Sequence, residues 1–228
     1  MAPGNFTFAS HAAIFVGFTP GAADSATPYV NPKFGKIFRL EQAGFPGFSE
    51  PCFSLTGRNI VEGFKNKGYV TVGSGAVGWF DPNSPTGAVL TESFDEFLYT
   101  GISHSIDDQL AWIFRKITEA TQPVFVFLNV GETHVPYYHK GAPWDRSYNP
   151  CVPFRLAEND EQECRRRQRA CLEYVDRQIA PLLKMFEQST TVICADHGDC
   201  WGEDGLWEHG ISHPKVLEVP LLLRLTAR

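Results

Sequence analysis

Asp196 and His197 stand side by side at the end of an apolar run, Thr190 to Ala195. A hard carboxylate next to an imidazole is a donor pair for a divalent ion of the Zn or Mn kind, with Mg or Ca as harder alternatives. An ion held there supplies Lewis-acid chemistry for ester cleavage. Gly198 follows at once and is expected to let the chain turn without covering the metal. By itself Asp-His-Gly is more often a solvated turn or a satisfied core histidine, so its weight depends on what the fold brings beside it. Two further polar groups are candidates: Gly131-Glu132-Thr133-His134 closes another apolar run, Val124 to Val130, and His209 and His213 precede the last one, Val219 to Leu225.

The elements that must position these groups are readable from periodicity. Residues 190 to 195 are mostly β-branched or small, as in a buried strand covered on both faces by helices. Asp196 and His197 then fall at its C-terminal end, where open α/β sheets carry their sites. Val124 to Val130 reads the same way behind Pro123. Helices are expected at 9 to 18, closed by a Thr-Pro-Gly turn at 19 to 21, and at 57 to 67, followed by a strand at 68 to 73. Ile106, Leu110, Ile113 and Ile117 mark a helix over 105 to 121. A long helix over 159 to 187 turns Cys171, Val175, Ile179, Leu182 and Phe186 inward, is kinked at Pro181, and carries Arg165 to Arg169 on a solvated face. Residues 21 to 54, rich in Pro, Gly and Phe, read as an ordered loop that, with 137 to 160, walls the site. Alternating helices and strands predict a three-layer α/β/α sandwich with a mostly parallel sheet.

At 228 residues and 43% hydrophobic content the chain suits a single domain over 1–228. A net charge of −6 gives no electrostatic footprint for nucleic acid or an anionic membrane, so neither is an expected partner. No run is long enough for a membrane segment and the first residues lack the regions of a secretory signal, which gives the expectation of a cytoplasmic location. The six cysteines form no CxxC pair and are expected reduced. Cys194 is expected in the core, and Cys164 and Cys171 as packing residues on one helix.

Read jointly, three segments resemble the sulfatase-like branch of the alkaline phosphatase superfamily: Asn5 through Gly17, Phe127 through Pro136, and Ala195 through Gly210 to Val219-Pro220. In that family a nucleophile opens a helix with the pattern nucleophile, any, Pro or Ala, Ser, Arg or His, and here Thr7, Ala9, Ser10 and His11 hold those places, with Gly17 closing the helix. The family's metal pair matches Asp196 and His197, its His-x-Pro matches His134 and Pro136, and its basic residue after Gly-Leu-Trp matches His209. Glu173-Tyr-Val-Asp176 resembles the helix before the metal strand. The resemblance implies an alkaline phosphatase-like core and one divalent ion held by Asp196, His197 and Thr7. Thr7 is then the nucleophile, His134 and His209 catalytic groups, and His11 and His213 substrate contacts.

The departures narrow the chemistry. True sulfatases oxidise a cysteine or serine to an aldehyde, and the extra methyl of Thr7 forbids that conversion, so a small anionic phosphate or phosphonate ester is the expected substrate of a hydrolase or transferase. Two-metal members carry an Asp in the segment that here reads Val130-Gly-Glu-Thr-His134, so one ion is expected unless Glu132 substitutes. Family members also place an acidic ligand on a strand ahead of the nucleophile, and only six residues precede Thr7. The expectation is an N-terminally truncated catalytic domain whose open sheet edges a homo-oligomer covers. The alternative is a noncatalytic metal-binding relative that has lost a ligand.

Overall fold

Phe6 is extended (φ −161°, ψ 164°) and Thr7 begins α1 (Thr7–Val16), which stops at Gly17 because that residue takes a left-handed φ of 71°. The helix thus starts two residues earlier than the expected residue 9 and ends before the turn at 19 to 21. A computed structural model describes residues 1–17, 58–153 and 155–226. That turn and the wall expected from 21 to 54 lie outside the described residues.

α2 (Ile60–Lys65) is capped by Asn59 Oδ1, which accepts the Val61 N–H at 2.8 Å. β1 (Val70–Gly75) follows, then α3 (Pro85–Thr91), β2 (Glu96–Tyr99), α4 (Ile106–Glu119) and β3 (Val124–Asn129). The three strands form a parallel sheet in the order β2-β1-β3. β3 shows why its sequence is apolar throughout. Phe125 and Phe127 pack with Phe8, Ala12 and Phe15 of α1, while Val124, Val126 and Leu128 pack with Leu110 and Ile113 of α4. The partner on that second face is α5 (Glu161–Met185), through Val175 and Leu182. The expected three layers are therefore present around this sheet, and the fold is α/β with a parallel sheet.

The rest of the chain departs from expectation. β4 (Thr191–Cys194) is no buried central strand: it pairs, among the described residues, only with β7 (Leu221–Arg224), and the pairing is antiparallel. Val192 and its partner Leu223 share one face and are 57% and 56% exposed, because no helix layer covers that face among the described residues. Cys194 is accordingly exposed, not a core thiol. Cys164 and Cys171 are buried in α5. The arginine run is only partly solvated. Arg167 is buried, with Nε donating to Glu163 at 2.6 Å and Nη1 to the Tyr148 carbonyl at 2.9 Å. Arg166 lies over the Trp144 ring, so the run fastens the 137–153 segment to α5. Between β4 and β7 come a two-stranded hairpin, β5 (Cys200–Trp201) and β6 (Trp207–Glu208), and the short α6 (Pro214–Leu217). No helix among the described residues is long and apolar enough to cross a membrane.

Candidate active site

Four chain segments converge on the N-terminus of α1. Thr7 is the first residue of that helix, and its cap residue, Phe6, makes no side-chain cap hydrogen bond. Ser10 Oγ donates to the Asp196 carbonyl at 2.6 Å and pins the helix to the end of β4. Asn5 accepts the Gly210 N–H at 2.7 Å and Ala2 donates to Leu217 O at 2.6 Å, which draws the loop carrying His209 to the same place. Gly198 serves by close approach: its N–H donates to Val216 O at 2.8 Å, and a Cβ there would collide with the carbonyl oxygen of Lys215.

The side chains gathered here are Thr7, His11, His134, Asp196, His197, Asp199 and His209. Thr7 Oγ1 lies 3.3 Å from His197 Nε2, which is itself 3.6 Å from Asp196 Oδ2. His197 Nδ1 donates to the Gly198 carbonyl at 3.1 Å and His134 Nδ1 to the Val135 carbonyl at 2.8 Å. A carbonyl can only accept, so in both rings the proton sits on Nδ1 and the Nε2 lone pair is presented. The three rings are neighbours, with centroids 4.2 Å apart for His197 and His209, 5.1 Å for His134 and His209, and 6.4 Å for His134 and His197.

Asp196 balances two forces. Burial raises its pKa, but the positive potential of His197 and His11 outweighs that and holds the carboxyl below its usual range. Asp199 is driven further in the same direction: burial again opposes ionisation, yet the hydrogen bond and charge of His209 bring it to about 2. Both are carboxylates at neutral pH.

The donor set fits a divalent ion. Tetrahedral Zn with bonds of about 2.0–2.1 Å separates its donors by roughly 3.3 Å, close to the 3.3 Å and 3.6 Å found from His197 Nε2 to Thr7 Oγ1 and Asp196 Oδ2. Single donor atoms of His197, Asp199 and His209 also lie within 4.8 Å of one another. Histidines that hand Nδ1–H to an oxygen and leave Nε2 free are the usual form of metal-ligating imidazole.

Two expected substrate contacts are placed elsewhere. His11 is buried, its ring edged by Phe80 and Phe127 with centroids 4.9 Å and 5.6 Å away. Its Nδ1 donates to Thr7 O at 2.8 Å and lies 3.6 Å from Asp196 Oδ2, so it braces Thr7 and the carboxylate together. Burial lowers its pKa, partly offset by Asp196. His213 caps α6, accepting from Lys215 N at 3.1 Å while Nε2 meets Asp204 at 3.2 Å, and it is not brought into the cluster. Glu132 does not stand in for a second-metal ligand either. It is buried with Oε1 accepting the Ile106 N–H at 2.8 Å at the start of α4, and burial raises it to about 7. Asp199 is the functional residue that spacing did not single out.

A family model described as Sulfatase matches residues 7–227. Phosphoethanolamine transferase EptA of Escherichia coli O157:H7 is 24% identical over 159 residues, which are 63% of this chain and 26% of that protein. The C-terminal periplasmic domain of phosphoethanolamine transferase EptC from Campylobacter jejuni superposes with a TM-score of 0.64 at 14% identity, covering 98% of this chain and 65% of that one. The corresponding domain of EptC from Escherichia coli, solved in complex with Zn, gives a TM-score of 0.54 at 17% identity over 75% of this chain and 53% of that one. The chain thus spans about a quarter of the curated relative and between half and two thirds of these solved domains. The cytoplasmic expectation is overturned here, because the two solved relatives are periplasmic domains.

Proposed function

Because this chain belongs to the sulfatase family, we propose that it is a phosphoester transferase that uses Thr7 as its nucleophile and can pass the bound group to water as a hydrolase. The observation that carries this reading is the meeting of Thr7 Oγ1 and His197 Nε2 at 3.3 Å on the N-terminus of a ten-residue helix. When bound by Asp196, His197 and the Thr7 oxygen, one divalent ion of the Zn or Mn type would supply Lewis-acid activation of the ester and acidify the threonine hydroxyl.

The side chains of this protein do the remainder. The dipole at the start of α1 favours an anionic group beside Thr7. His197 Nε2 has one lone pair, which the ion would take, so the hydroxyl proton would pass to the neighbouring imidazole of His209, whose ring centroid lies 4.2 Å from that of His197. His134 and His209, whose Nδ1 groups are engaged by Val135 O and Asp199, keep Nε2 to accept a proton and, once protonated, to donate to a phosphoryl oxygen or the leaving group. His11 keeps Asp196 and the first turn of α1 in register. The relatives named phosphoethanolamine transferases support phosphoethanolamine as the group carried, and the periplasmic domains among them support a site of action outside the cytoplasm.

We take residues 1–228 as one catalytic domain. We also propose that a second copy covers the face of β4 and β7 that carries Val192, Leu221 and Leu223, each more than half exposed. A monodisperse monomer in light scattering would rule that out.

The test is incubation of the Zn-loaded protein with a phosphatidylethanolamine micelle, followed by mass spectrometry of the peptide holding Thr7. The expected result is a phosphoethanolamine adduct on Thr7 that is absent in Thr7→Ala. Turnover that survives Thr7→Ala sinks the nucleophile assignment, and Zn occupancy without turnover on any phosphate or phosphonate ester identifies a noncatalytic relative.

A further inference from the structure

His209 is fixed more firmly than a loop histidine needs to be. Its Nδ1 meets Asp199 Oδ1 at 2.7 Å, and both side chains are almost wholly buried, 8% and 5% exposed. The second carboxylate oxygen, Asp199 Oδ2, accepts from Tyr137 Oη at 2.7 Å, and that hydroxyl oxygen accepts from Trp201 Nε1 at 2.8 Å. Asp199 therefore has one firm partner on each oxygen, and a buried carboxylate so engaged is held in one orientation.

Backbone geometry points the same way. Tyr137 sits in the left-handed region at φ 57° while wholly buried, and Trp144 Nε1 donates to its carbonyl at 3.0 Å. Glu208, directly before His209, is left-handed as well at φ 67°. Such conformations are unfavourable in non-glycine residues and persist where the surroundings over-determine them. Here they occur on the two segments that carry the Asp199–His209 pair and its tyrosine brace.

We propose that Asp199 is the positioning residue for His209: it fixes the ring so that Nδ1–H is consumed internally and Nε2 alone faces Thr7 and His197. This rests on the ester-transfer reading given above. A carboxylate accepts but cannot donate, so it permits only the tautomer with the proton on Nδ1. An amide at the same position can turn its NH2 group toward the ring and stabilise the opposite tautomer, which is the known penalty of replacing the carboxylate in an Asp-His pair. Asp199 acts through His209, each of its oxygens already accepting one hydrogen bond.

The test is Asp199→Asn in the Zn-loaded protein, with unfolding temperature, bound Zn, kcat and KM measured together with the ¹⁵N-detected tautomer of His209 at one fixed pH. The expected result is a loss in kcat on the order of 10²-fold, KM within about twofold, unchanged Zn content, and a His209 signal that moves from the Nδ1–H form toward the Nε2–H form. Tyr137→Phe should move both readouts in the same direction by about tenfold or less, and it carries the test if Asp199→Asn does not fold. An unmoved tautomer and kcat in the folded variants overturn the proposal. Loss of Zn from Asp199→Asn also overturns it, by making Asp199 a ligand. If the unmodified protein turns over no ester, the transferase reading fails, and the tautomer signal still decides the role of Asp199.

Discussion

The sheet β2-β1-β3 and the ribbon β4–β7 are built from similar residues and live in different surroundings. β3 has α1 packed on one face and α4 and α5 on the other, whereas Leu221, Leu222 and Leu223 of β7 are 66%, 59% and 56% exposed. The candidate site lies where the two meet. His134 follows β3, and Asp196, His197 and Asp199 follow β4. The difference teaches that apolar sequence reports what a strand is able to bury, and the layers around it decide what it does bury. Stability is concentrated in the first region and chemistry at its junction with the second.

The largest expected effect falls at the junction. Thr7→Ala should reduce turnover by about 10³-fold or more, roughly 4 kcal/mol of transition-state stabilisation, with the unfolding temperature nearly unchanged. Residual activity within tenfold of the unmodified protein would move the chemistry away from α1. Next comes the buried side: Ile113 of α4 is fully buried, and Ile113→Ala should cost about 2–5 kcal/mol in urea unfolding. A cost below about 1 kcal/mol would erase the contrast between the regions.

Glu132 sharpens the comparison through pH. Burial raises its folded-state value from 4.5 to about 7, so the folded protein keeps a proton that the unfolded chain has released. Stability should therefore fall as pH rises through that window and level off above it. The penalty is on the order of 3 kcal/mol before solvent relaxation. Glu132→Gln keeps an acceptor for the Ile106 N–H and should flatten the profile, read as urea midpoints at several pH values. A slope that survives the substitution would place its origin in other groups. The smallest effect belongs to the ribbon: Leu223→Ser should change the stability of an uncovered protein by no more than about 0.5 kcal/mol. A larger loss, with a falling mass in light scattering, would mean that a second copy covers the face.

Much of the buried region was legible in the residues themselves. The Val-Phe alternation of β3 and the spacing of Ile106, Leu110 and Ile113 are written by packing on both sides, so pattern and environment agree. α3 escaped notice although Ser84, which accepts the Gly87 N–H at 3.0 Å, and Pro85 form a recognisable helix start. β2 is only four residues long and carries little periodicity. β4 was misjudged because Thr-Val-Ile-Cys has the same composition whether or not helices cover it. Thr7, His134, Asp196, His197 and His209 could be named from pattern and are drawn together. The bracing of His11 by Phe80 and Phe127, the capping by His213 and the hold of Asp199 on His209 depend on contacts between distant segments that no local spacing encodes.

Thr7 and His197 touch across 190 residues of sequence. Contacts of that separation are closed late, because the loop entropy must be met before the contact can return anything. The helix, strands and hairpin can each form while the site does not yet exist. Recovery of the Thr7–His197 pair after dilution from urea should therefore lag behind the recovery of helical signal. Closure of the Thr7–His197 pair is then a clock for the last step of folding, and a chain stalled short of it would look native by secondary structure while its candidate site stays unassembled.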